Sequence, residues 1–114
     1  MLTIKFRRDS RRRLSSVLAE GHADTADRGE DLVCAAASAI LQAAELGLNG
    51  YAELPASTTV RGKDGYMAIT IARADRERED VMAILGTAEL AITHLAVQFP
   101  DAVACVLENE PRDP

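Results

Sequence analysis

Residues 31–49 read DLVCAAASAILQAAELGLN, and this stretch decides the fold. It opens on the acidic pair Glu30-Asp31 and closes on Gly47 and Asn49-Gly50, so the pattern predicts a helix over 31–49 with Asp31 as N-cap. The interior is apolar and rich in alanine. Its polar exceptions, Asp31, Ser38, Gln42, Glu45 and Asn49, fall on one narrow stripe at about 100° per residue. Cys34 shares that stripe. A cysteine on such a helix is by default a small core residue, but the phase argues against the default, because the core side lies elsewhere.

Upstream, Leu2, Ile4 and Phe6 alternate with Thr3, Lys5 and Arg7, the period of a strand with one wet face. Arg8 to Arg11 reads as a turn, Arg13 to Glu20 as an antiparallel partner strand, and Gly21 to Glu30 as a loop. Downstream, Tyr51 to Val60 and Tyr66 to Ala72 are expected strands around the turn Gly62 to Gly65. The charge run Asp75 to Asp80 leads into a second helix with Val81, Ile84, Leu85, Ala88, Ile92, Leu95 and Phe99 on one stripe, stopped by Pro100. Ala102 to Leu107 is a last strand, and 110–114 a loose tail. The order ββαββαβ, with no repeat and no linker, predicts one α+β domain over 1–114, a mixed sheet covered by two long helices.

Composition narrows the function. With 114 residues, 47% hydrophobic and 27% charged, disordered, collagen-like and disulfide-scaffold classes are excluded. The Leu32–Leu41 run is broken by Ser38 and followed by Gln42, so no membrane partner is expected. The start MLTIKFRRDSRRR is not a signal peptide, and two widely separated cysteines fit thiols in a reducing cytoplasm. The net charge of −5 divides into +5 over residues 1–13 and −10 over the rest. That acidic body, with no Trp to stack on bases, argues against direct nucleic-acid binding and suits a basic protein or peptide partner.

The chemistry gathers around Cys34. A thiol in the first turn of a helix is favoured as thiolate by the unpaired N–H groups and the dipole there. Small neighbours, Ala35, Ala37 and Ser38, leave room for a substrate chain, and Ser38 is a candidate substrate contact. The imidazole on offer is His22, twelve positions earlier between Gly21 and Ala23. A histidine beside a thiol makes a nucleophile and general-base pair; the plainer reading is a surface histidine on a loop. Asp31 either caps the helix or orients that imidazole. His94 reads as a surface residue and Cys105 as core. No zinc-ligand spacing, phosphate loop or hydrolase motif occurs, so neither metal nor cofactor is expected.

These residues carry a resemblance. Gly21-His22-Ala23, then Gly29-Glu30-Asp31-Leu32-Val33-Cys34-Ala35-Ala36-Ala37-Ser38-Ala39, resembles the ribosomal-processing cysteine protease (Prp) family signature, G-H-A, a short spacer, then G-x-D-[IL]-V-C-A-A-x-S-A. The resemblance extends over the whole chain in length and element order. It implies a cytoplasmic cysteine endopeptidase that removes an N-terminal extension from large-subunit ribosomal protein twenty-seven. Cys34 is then the nucleophile, His22 the general base and acid, and Asp31 a candidate orienting group. It further implies a homodimer with a mobile loop, here Ala23 to Glu30, over the site. The arginine-rich hairpin Arg11 to Arg13 has no counterpart in that pattern. A reading from another class is a non-catalytic ribosome-assembly or protein-binding factor on the same fold. A thiol probe separates the two, since a binding module gives Cys34 no reason to outpace Cys105.

Overall fold

The computed structural model describes residues 1–21, 28–54, 58–61 and 66–111, with 28–31 and 58–61 as backbone. The elements are β1 (Leu2–Arg8), β2 (Leu14–Glu20), α1 (Arg28–Leu46), β3 (Thr58–Arg61), β4 (Met67–Thr70), α2 (Glu79–Gln98) and β5 (Val103–Asn109). The expected order ββαββαβ is the observed one.

The strands form one mixed sheet in the order β3-β4-β2-β1-β5, in which only the β1–β5 pair is parallel. Register puts Ile4 beside Ala19 and Cys105, and Phe6 beside Val17 and Leu107. The even positions of β1 therefore share a face with the odd positions of β2 and β5. Leu2, Ile4, Phe6, Val17, Ala19, Ile69 and Val103 on that face are buried, and both helices pack onto it. α1 contributes Val33, Ala37, Leu41 and Ala44; α2 contributes Val81, Leu85, Ala88 and Ile92. The result is a two-layer sandwich. On its other face the β1 and β5 side chains Arg7 and Glu108, paired in register, form an ion pair.

Several boundaries differ from expectation, each for a local reason. α1 starts at Arg28, three residues before the expected N-cap, because Arg28-Gly29-Glu30 accept helical geometry and an acidic Glu30-Asp31 pair suits a first turn. The expected loop is therefore shorter: 28–30 are helical, and 22–27 lie outside the described residues. At its other end the helix does not stop at Gly47. It continues as one π turn, Gly47–Tyr51, closed by the Ala52 N–H donating to the Gly47 carbonyl at 2.9 Å. The cause is burial: Leu48, Ala52 and Leu54 all reach the core. The expected strand from Tyr51 is accordingly reduced to β3. β4 is shorter than expected at both ends, and β5 runs two residues further. Glu110, expected in the tail, donates its N–H to the Arg8 carbonyl at 2.8 Å.

By length and mean hydropathy (1.4 each), Leu32–Tyr51 and Glu79–Gln98 both reach what a bilayer crossing needs, more than the sequence reading allowed. Both nevertheless turn one stripe into the core and leave much of the rest exposed.

The β1–β2 connection is built on Asp9. Its Oδ1 accepts the N–H groups of Arg11 and Arg13 at 2.9 and 3.1 Å, and its Oδ2 the guanidiniums of Arg13 and Arg76 at 2.9 and 3.1 Å. Arg12 sits in the left-handed region at φ 64°, a conformation uncommon for a residue with a Cβ.

Candidate active site

Strand β2 ends at Glu20, and the chain leaves the sheet through Gly21. This residue has φ +95°, and a Cβ there would lie 2.5 Å from the Met1 carbonyl oxygen. Both facts demand glycine: the backbone is turned into the left-handed region and pressed against the start of β1. The next residue is His22, which lies outside the described residues, as does the Ala23–Asp27 segment.

The chain re-enters as α1, whose seventh residue is Cys34. The thiol is therefore in the second turn and not the first, which weakens the helix-dipole argument, since that effect fades beyond the first turn. Its angular position is the informative feature. The buried stripe of α1 runs through Val33, Ala37, Leu41, Ala44 and Leu48, and the polar stripe through Ser38, Gln42 and Asn49 is exposed. Cys34 falls on the border between them. It is half-buried and packs on the core cluster from its margin. The sequence reading placed it wholly on the polar stripe; the structure places it at the seam.

Asp31 is the fourth residue of α1, so it is a helical residue and not the N-cap; its side chain lies outside the described atoms. Ser38, one turn beyond Cys34, is exposed. On the side of α1 away from the core, Ala35, Ala36 and Ala39 are exposed with Leu32, an apolar surface separated from the thiol by the polar stripe of Ser38 and Gln42.

The second thiol has different surroundings. Cys105 faces α2 from β5, its sulfur 3.7 Å from the Thr93 hydroxyl. Burial pushes its pKa up and the Glu89 carboxylate adds to that, against a smaller opposing effect of the Thr93 hydrogen bond. A raised pKa disfavours its thiolate, and no disulfide joins it to Cys34. His94 is exposed on α2. Among the described residues no three His, Cys, Asp or Glu side chains gather as a metal site. Sequence reasoning missed Met1, whose carbonyl fixes the Gly21 corner; nothing in the sequence marks a contact between residues so far apart.

Cys34 is thus a half-buried thiol on α1, one connection beyond the Gly21 corner. The chain belongs to the cysteine protease Prp family, whose profile matches residues 1–104. It is similar over 96% of both chains to SMU.848 from Streptococcus mutans, at 28% identity and a TM-score of 0.83. The Staphylococcus aureus ribosomal processing protease Prp with a covalently linked product peptide matches 94% of this chain and 99% of its own, at 22% identity and a TM-score of 0.73. The same protease with a substrate peptide matches over the same shares, at 20% and 0.75. At these identities the S. aureus structures establish the fold. None of the curated protein sequences matches the chain.

Proposed function

We propose that this cysteine protease is a cytoplasmic ribosomal-processing endopeptidase, with Cys34 as nucleophile and His22 as general base. Its substrate is the N-terminal extension of large-subunit ribosomal protein twenty-seven. The observation that carries the reading is the position of Cys34 on α1, half-buried at the margin of the core and one connection beyond the Gly21 corner. The family supplies the peptidase chemistry, and the S. aureus relatives, described as ribosomal processing proteases, supply the substrate class.

In the mechanism, His22 takes the thiol proton and the Cys34 sulfur attacks the scissile carbonyl carbon. The resulting tetrahedral oxyanion collapses, the C–N bond breaks, and the imidazolium gives its proton to the departing amine. Water, deprotonated by the same imidazole, then cleaves the thioester and restores the thiol. Asp31 orients the imidazole, and Ser38, one turn beyond the thiol, lies along the substrate chain.

The enzyme acts as a homodimer in this reading. β5 is an edge strand, and on its side of the molecule Met82, Leu90 and Val97 of α2 and Leu107 of β5 are all exposed. An open strand edge beside a row of exposed apolar side chains suits a second copy.

The test is a synthetic peptide spanning the extension and its junction, followed by mass spectrometry. One cut at the junction, abolished in Cys34→Ala and retained in Cys105→Ala, is the expected result. Cleavage by the Cys34→Ala protein would overturn the assignment.

A further inference from the structure

The arginine-rich hairpin between β1 and β2 lies at the end of the sheet opposite the Gly21 corner. The seven residues of β2 put it about 20 Å away at roughly 3.3 Å per residue. Its arginines divide into two groups. Arg8 is paired with Glu89, Arg13 with Asp9 and Glu77, and Arg76 with Asp9; these hold the hairpin against the body. Arg11 has only Glu77, at 3.9 Å and with both side chains well exposed. For Arg12 and Arg73, no carboxylate among the described residues lies within ion-pair distance. Arg11, Arg12 and Arg73 border one cleft of about 870 Å³, whose wall also holds Asp9, Ser10, Arg13, Asn109, Glu110 and Pro111.

From this division we infer that the cleft binds the phosphodiester backbone of a nucleic-acid strand. Its donors are guanidinium forks, a hydroxyl and an amide, the groups that grip phosphate oxygens. Only Pro111 among the lining residues is apolar. An acidic peptide would therefore find charge there but nothing to bury, whereas a phosphate backbone needs only charge and donors. With no aromatic residue in the wall, bases are not read. The acidic body that argued against nucleic acids is screened beyond about 8 Å at physiological salt, so what a bound strand feels is the local set. In that set the Asp9 carboxylate is already taken up by four hydrogen bonds. A left-handed Arg12 at the tip, where glycine would cost less, fits a residue kept for its side chain.

The experiment is fluorescence anisotropy of the full-length protein with 5′-labelled twelve-nucleotide oligo-U and, separately, a labelled twelve-residue polyglutamate. Three phosphate contacts at about 0.7 released counterions each give a slope of log K against log salt near −2, about a twentyfold loss from 50 to 200 mM. The Arg11→Gln/Arg12→Gln/Arg73→Gln variant should bind at least tenfold more weakly with a nearly flat slope, its melting temperature unchanged because these side chains support no packing. Glu110→Gln, which removes a like charge from the wall, should tighten binding several-fold. Equal binding by wild type and triple variant would overturn the inference, and so would polyglutamate binding as tight as oligo-U. The readout is binding, so its result stands apart from the peptidase assignment of Cys34.

Discussion

Gly21 and Met1 are in backbone contact: a Cβ on Gly21 would stand 2.5 Å from the Met1 carbonyl oxygen, while φ is +95°. No rotation of a side chain relieves such a clash, because both partners are backbone. Gly21→Ala must move the corner from which His22 departs. The expected cost is about 1–3 kcal/mol of stability, with kcat/KM falling at least tenfold and kcat falling more than KM rises. A variant destabilised to that extent yet turning over normally would show that the corner does not position the base.

The two thiols give a second test. Burial, against the Thr93 hydrogen bond and with a smaller push from Glu89, raises the pKa of Cys105, whereas Cys34 lies half-buried at the margin of the core. Iodoacetamide at pH 7 should label Cys34 first, and His22→Ala should slow that labelling while leaving Cys105 unaffected. Peptide mapping of the alkylated protein separates the sites. Cys105→Ala should lose only about 1 kcal/mol, since the residue is half-buried. Equal labelling of both thiols would favour the binding-factor reading.

The layers were legible because their periodicities are undiluted. Leu2, Ile4 and Phe6 are buried as their alternation required, and so are Val81, Leu85, Ala88 and Ile92 on their stripe. Boundaries were less legible where local chemistry offered two solutions. Asp31 has the chemistry of an N-cap but also suits a first turn, and the helix took the earlier start. Asn49-Gly50 is a strong stop signal, yet burial of Leu48 overrode it through a π turn. The proposed pair, Cys34 and His22, was picked out by residue type and family pattern, and His22 lies outside the described residues. The seam position of Cys34 and the Met1 contact of Gly21 could not, because both depend on how α1 rotates against the sheet and how β1 meets β2.

Asp9 links the hairpin to acid stability. Burial alone would raise its pKa, but the N–H groups of Arg13 and Arg11 and the guanidiniums of Arg76 and Arg13 outweigh it, holding the carboxyl well below the usual range. A depressed folded-state pKa contributes stability that is fully present above the unfolded value, near 4, and is lost as pH falls below it. Asp9→Asn keeps the side chain's size but removes the charge and one of its two acceptor atoms. Urea denaturation should show the variant weaker by about 3 kcal/mol at pH 7, with the gap narrowing steadily from pH 4 to pH 2. A gap independent of pH would mean that the hydrogen-bonding shape, not the charge, holds the turn.

The proposed dimer rests on one side of the molecule, and its test follows from where the exposed apolar residues lie. Leu90 is 72% exposed on α2 and Leu107 57% exposed on the edge strand β5. Leu32, equally exposed at 72%, lies on α1, on the side of the helix turned away from the thiol. If the second copy joins at β5 and α2, a lysine at Leu90 sets two like charges close to the two-fold axis, where each must be desolvated. Leu90→Lys should then shift sedimentation from dimer to monomer at micromolar concentration with an unchanged monomer melting profile, and Leu107→Lys should act in the same direction. Leu32→Lys should leave both the dimer and KM for the peptide unchanged, because that side chain faces away from the thiol across α1. Dissociation by Leu32→Lys and not by Leu90→Lys would move the interface to the outer face of α1.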